Sequence, residues 1–315
     1  MTKSIPFTGV IPILATPFDE HENNDLESFE RMIRFMVKLG VDGVTILGVL
    51  GESNRMLDHE REALIRAAVR AADGKLPIIV GTSHSGTRAA LHLSQMAESL
   101  GADAVMVTPH NEPTPNDQRV FDYFQRIAGG LRIPIVAQDH PASTQVHMSV
   151  PLLLRLVNEI PSIACIKQEA VPTAAKISAL LSGMKARRVP ILTGLGALYG
   201  SFDLARGSSG FNTGFAFPEV LHAMVRAAQS GDSAKVNDLY RRYLPLIVFE
   251  QQPGVAIRKE ILRLRGLIAT NQVRHPGARI DPATAAQVQS LIEHTFGDAD
   301  ITQPIRIVSE DSSGL

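Results

Sequence analysis

Lys167 follows Ile163-Ala164-Cys165-Ile166, an apolar run with the length and composition of a buried strand. A lysine at such a place loses its proton by desolvation, and a neutral amine is a nucleophile toward a ketone. The protonated imine that results withdraws electrons and makes a neighbouring C–H or C–C bond breakable without a cofactor. If the strand runs on, its alternation puts Lys167 and Glu169 on one face. Glu169 could then shuttle protons, although its charge opposes loss of the lysine proton. The plainer reading of the same residues is an ordinary ion pair at a strand end.

A second candidate is the box Gly48-Val49-Leu50-Gly51-Glu52-Ser53. Two glycines three apart allow a sharp turn whose backbone N–H groups can point at an anion such as a carboxylate. A simple strand-to-helix turn explains the same spacing. His84, His110 and His140 follow successive apolar runs and could surround a metal, but their spacing is not that of a short metal motif. The reading therefore calls for no metal and no cofactor.

These residues need elements to hold them. Apolar runs suited to buried parallel strands lie near Val10 to Ala15, Val44 to Leu47, Ile78 to Val80, Ala104 to Val107, Ile135 to Ala137, Ile163 to Ile166, Ile191 to Leu192 and Gly210 to Asn212. Helical patterns separate them, with Asp25, Asp58 and Ser149-Val150-Pro151 as starts. MVKLGVDGVTILG (36–48) and MAESLGADAVMVTP (96–109) repeat one plan, in which Gly40 and Gly101 end a helix in the left-handed conformation and β-branched residues open a strand. Eight strand–helix units fit a closed (β/α)8 TIM barrel, whose catalytic groups belong at the carboxyl ends of the strands. The turn after the first strand, LATPFDE, lacks the glycines of a dinucleotide fold. We divide the chain into a barrel (1–217), a C-terminal helical extension (218–297) and a frayed tail (298–315).

Composition narrows the partners. The 315 residues are 44% hydrophobic and 20% charged, and their formal charge of -1 leaves no footprint for nucleic acid or an anionic membrane. Cys165, the one cysteine, permits neither an internal disulfide nor a multi-cysteine metal site, which points to a reducing compartment. The start, MTKSIPFTGV, has no signal-peptide pattern, and no stretch reaches the length of a membrane span. The cytoplasm is the expected location.

Taken in order, the box at Gly48 to Ser53, GTSHSGT (81–87), VTPHNEPT (107–114), IPIVAQDHPAS (133–143) and IKQE (166–169) resemble the dihydrodipicolinate synthase and N-acetylneuraminate lyase family. The resemblance implies a (β/α)8 barrel with a helical extension, a homotetramer, and a Schiff base between a lysine and a 2-keto acid. Lys167 matches the imine-forming lysine, and Gly48, Gly51 and Glu52 match the carboxylate box. Three departures stand out. The two hydroxyl-bearing residues of the box are Val49 and Leu50 here, so carboxylate binding falls to backbone N–H groups, Leu50's among them, and to Ser53. The family's relay tyrosine on strand five aligns with Gln138, whose amide has no useful pKa for that task. The paired tyrosines after Thr108-Pro109 are His110 and Asn111.

Gln-Asp-x-Pro-Ala-Ser with Lys-x-Glu is similar to the branch that dehydrates 2-keto-3-deoxy sugar acids such as 2-keto-3-deoxyarabonate. The reading is thus a hydro-lyase acting on a small 2-keto acid, with Lys167 and Glu169 catalytic and Gln138, His110 and Asn212 binding the substrate. Alternatives are a pyruvate-forming aldolase, a dihydrodipicolinate synthase-like condensation, and a non-catalytic keto-acid binder.

Overall fold

The computed structural model describes residues 5–111, 116–252 and 254–307. Its strands are β1 (Gly9–Val10), β2 (Val44–Ile46), β3 (Ile78–Gly81), β4 (Ala104–Val107), β5 (Ile135–Asp139), β6 (Ile163–Gln168), β7 (Ile191–Thr193) and β8 (Gly210–Phe211). They form one parallel sheet in the order β1-β8-β7-β6-β5-β4-β3-β2. The chain just after β1 bonds to β2: Leu14 N–H donates to Thr45 O at 2.9 Å and Thr45 N–H to Pro12 O at 2.8 Å. Both ends of the sheet therefore meet, an arrangement that matches a (β/α)8 barrel.

Each expected apolar run holds its strand. β1 is shorter than the run from Val10 to Ala15 because Pro12 has no N–H to give to the ladder. Between the strands lie α1 (Leu26–Leu39), α2 (Asp58–Ala72), α3 (Thr87–Ser99), α4 (Asp117–Ala128), α5 (Pro141–Thr144), α6 (Val150–Glu159), α7 (Thr173–Gly183) and α8 (Gly200–Ala205). Asp25 caps α1 by accepting from Ser28 N–H, Gly40 ends it at φ 71, and Ser149 caps α6 by accepting from Leu152 N–H. Asp58 is not a cap: α2 begins on it, Leu57 is the capping position, and the Glu60 carboxylate takes the Leu57 N–H at 2.8 Å.

The strands bury both faces. Ile11, Ile79, Met106, Val136, Cys165 and Leu192 form one cluster, while Val44, Ile78, Val105, Ile135, Ile163 and Ile191 join the larger core that includes the surrounding helices. Each such aliphatic side chain stabilises the fold by about 1.5–3 kcal/mol. Cys165 sits wholly inside, and burial pushes its thiol pKa up, so it is inert.

Beyond β8, α9 (Pro218–Gln229) packs on both β1 and α10 (Ser233–Glu250), followed by α11 (Ala256–Leu264) and α12 (Pro282–Phe296). The expected frayed tail needs correcting over 298–307. Ile301, Ile305 and Ile307 pack on the apolar cluster of the extension, and Arg265 Nε donates to Ile301 O at 3.0 Å. Partial burial of these three isoleucines favours an ordered path for the segment. Residues 308–315 lie outside the described ones.

Candidate active site

Along β6, Cys165 points into the sheet interior and Lys167, two residues on, occupies the same face one step nearer the carboxyl end. It is 2% exposed, and its Nζ stands 3.1 Å from Glu169 Oε2. Gln138 is the register neighbour of Lys167 on β5, and its Nε2 donates to Glu169 Oε2 at 2.7 Å. Leu195 N–H, just after β7, donates to Glu169 Oε1 at 3.0 Å, and His140 Nδ1 lies 3.9 Å from Oε2. Strands β5, β6 and the chain after β7 thus converge on one carboxylate beside one amine.

The electrostatics follow from burial. Burial drives the Lys167 pKa down, against the upward pull of Glu169. Burial pushes Glu169 up, but Lys167, His140 and the donors Gln138 and Leu195 outweigh it and hold the carboxyl below its ordinary value. Burial also lowers the His140 pKa, against the upward pull of Glu169. A cavity of about 460 Å³ opens over Lys167 and Glu169 and is walled by Val49, Leu50, Met106 and Arg258 among others. Such a site can bind a carbonyl compound, form an imine and hold a proton acceptor next to the carbon it acidifies.

The profile of the Dihydrodipicolinate synthetase family matches residues 6–295. The chain belongs to the dihydrodipicolinate synthetase family. It is therefore an enzyme, a lyase of the class I Schiff-base type. L-2-keto-3-deoxyarabonate dehydratase of Azospirillum brasilense is 33% identical over 288 residues, covering 90% of this chain and 93% of the relative. Dihydrodipicolinate synthase from Rhodopseudomonas palustris superposes with a TM-score of 0.88 at 30% identity, over 93% of this chain and 99% of that one. YagE of Escherichia coli K12, solved in complex with pyruvate, gives a TM-score of 0.84 at 26% identity over 92% and 98%.

Among this family member's expected site residues, Lys167, Glu169, Gln138 and Leu50 line the cavity together. Gly48, Ser53 and His110 line an adjoining one of about 550 Å³, which shares Val49, Met106, Gln138 and Ser143 with the first. Gly51 shapes the turn, its N–H donating to Gly48 O at 3.0 Å and its carbonyl accepting from Thr16 Oγ1 at 2.8 Å. Two expectations need correction. Glu52 lines neither cavity. Its carboxylate faces Lys259 Nζ at 2.5 Å, Arg55 Nη1 at 2.7 Å and the Arg274 backbone N–H at 3.0 Å, and these buried partners hold it away from the cavity. Asn212 also lines neither. Its Nδ2 donates to Ile11 O at 2.8 Å and Thr45 Oγ1 at 2.9 Å, tying β1, β2 and β8 together. Glu112 to Thr114 of the fourth-strand motif lie outside the described residues.

His84, His110 and His140 are not gathered: among the described residues no group of three or more metal-ligating side chains forms. His140 instead faces Glu169. Sequence reasoning passed over Arg258, Gln251 and Gln252, which the extension brings to the cavity. A signal was present for Arg258: it falls on the buried helical face between Val255 and Leu262, where a charge needs a reason.

Proposed function

We propose that the protein dehydrates a 2-keto-3-deoxy sugar acid through an imine on Lys167. The neutral amine attacks the C2 carbonyl, water leaves, and the protonated imine acidifies C3. Glu169 takes the C3 proton, and the electron pair moves into the C2–C3 bond as an enamine. The C4 hydroxyl then departs, the proton held on Glu169 going out with it as water. Hydrolysis frees Lys167 and the product, so the net change is loss of one water with the carbon chain whole. Gln138 keeps Glu169 oriented, and the polar rim that includes His110 receives hydroxyls.

The observation that carries this reading is the 3.1 Å approach of Lys167 Nζ to Glu169 Oε2 inside a ligand-sized cavity. The similarity to a dehydratase and to a pyruvate-bound relative supports it. We extend it, on the family resemblance, to a cytoplasmic homotetramer. Among the described residues no helix is long and apolar enough to cross a membrane. The test is a panel of 2-keto-3-deoxy acids read by product mass, with borohydride trapping of pyruvate followed by peptide sequencing. We expect a product lighter by one water and a label on Lys167. Release of pyruvate with an aldehyde would replace dehydration by retro-aldol cleavage, and label elsewhere would overturn the imine.

A further inference from the structure

We propose that Arg258, supplied by the C-terminal extension, is the anchor for the substrate carboxylate. The inference deepens the proposed function and rests on Lys167 as the imine-forming amine. Once C2 of a 2-keto acid is bonded to Nζ, the carboxylate carbon lies about 2.5 Å from that nitrogen, two bonds away. Glu169 already occupies one side of Nζ with a negative charge. A second carboxylate arriving there meets repulsion in a buried site unless a cation faces it.

The walls offer little choice. Val49, Leu50 and Met106 are apolar, Gln138, Ser143 and Thr213 carry no charge, and burial pushes the His140 pKa down. Lys167 is spent on the imine, so among the described residues lining the cavity Arg258 and His140 are the side chains that can still bring a positive charge, and burial disfavours it on His140. Arg258 stands beside the box. A Cβ placed on Gly214 would lie 2.1 Å from Leu50 Cδ1 and 3.5 Å from Arg258 Nε, so the guanidinium meets the box at one point of the wall.

That guanidinium is also under-used. Arg258 is 6% exposed, and its Nε has no hydrogen-bond partner among the described residues. Its ion pair with Glu250 is long, 3.5 Å from Nε to Oε2, and Nη1 reaches Gly254 O only at 3.5 Å. With its side-chain amide turned so that the oxygen faces the guanidinium, Gln251 accepts from Nη2 at 2.9 Å. A buried arginine with donors left over is a site waiting for a planar anion, since the guanidinium fork matches a carboxylate. Val49 and Leu50 bring no hydroxyl to this cavity, and the box's one hydroxyl, on Ser53, lines the adjoining cavity instead.

The experiment compares borohydride trapping on Lys167 with pyruvate, which carries the carboxylate, and with hydroxyacetone, which does not. For Arg258→Gln we expect the pyruvate concentration for half-trapping to rise between about 10-fold and about 150-fold, the range for hydrogen bonds to a charged group. Hydroxyacetone trapping stays as in the wild type, and Arg258→Lys recovers part of the loss. The fold should tolerate the change, because burial pushes Glu250 up to about 7 and it can take a proton once the guanidinium is gone. The neutral pair Glu250→Gln with Arg258→Gln serves if the single variant does not fold. Equal pyruvate trapping in wild type and variant overturns the anchor, as does an equal loss for both ketones. Absence of trapping in the wild type overturns the imine on Lys167 instead.

Discussion

Replacing Glu169 by Gln separates the two effects that its carboxylate has on Lys167. At 3.1 Å and an effective dielectric of about 20, the pair interacts by about 5 kcal/mol before desolvation of either group is counted. That interaction opposes burial, which drives the Lys167 pKa down. In Glu169→Gln, burial acts without this opposition, so the lysine pKa falls further and the amine stays neutral to lower pH. The amide keeps the shape of the carboxyl but can neither take nor return a proton. Removal of a general acid–base group lowers turnover by about 100-fold to about 10,000-fold. The two consequences have opposite signs: imine formation persists at more acid pH while dehydration nearly stops. Borohydride trapping of pyruvate against pH reads the first, and product formation from a 2-keto-3-deoxy acid reads the second. Wild-type turnover, or an acid limb of trapping that moves to higher pH, would refute the reasoning.

Two further outcomes bear on how the site is held. In Gly194→Ala the new Cβ would lie 2.1 Å from Glu169 Oε1, so the carboxylate must leave its bond with Leu195 N–H. We expect overpacking to cost about 1–3 kcal/mol by chemical denaturation and kcat to fall at least about tenfold; an unchanged kcat would show that Glu169 does its work without that bond. Lys259→Met leaves Glu52 buried opposite no ammonium and removes the donor to Gln272 O at 2.6 Å. The expected loss of unfolding free energy is about 3–5 kcal/mol, with part recovered on adding Glu52→Gln. A loss below about 1 kcal/mol would mean that Arg55 and Arg274 suffice for Glu52.

The order and kind of elements were legible in the chain itself. Eight short apolar runs, each ended by a polar or glycine-rich turn, specify parallel strands because only helices on the outside can bury both faces of such a sheet. The pair Lys167 and Glu169 was legible for the same reason, since a period of two along an apolar strand puts both on one face whatever the rest of the fold does. The destinations of Glu52 and Asn212 were not. Both sit at strand ends where a substrate could meet them, and what decides is the partner that arrives from elsewhere: Lys259 and Arg274 for Glu52, the carbonyl of Ile11 and the hydroxyl of Thr45 for Asn212. Arg258 is the converse case, about 90 positions beyond Lys167 along the chain, brought to the same cavity by packing of the extension. Periodicity is a property of neighbours along the chain, whereas charge partners are chosen by proximity in space. The local pattern therefore determined which residues form strands and which faces they share, and the tertiary fold alone decided which partner each buried charge meets and which charges reach the cavity.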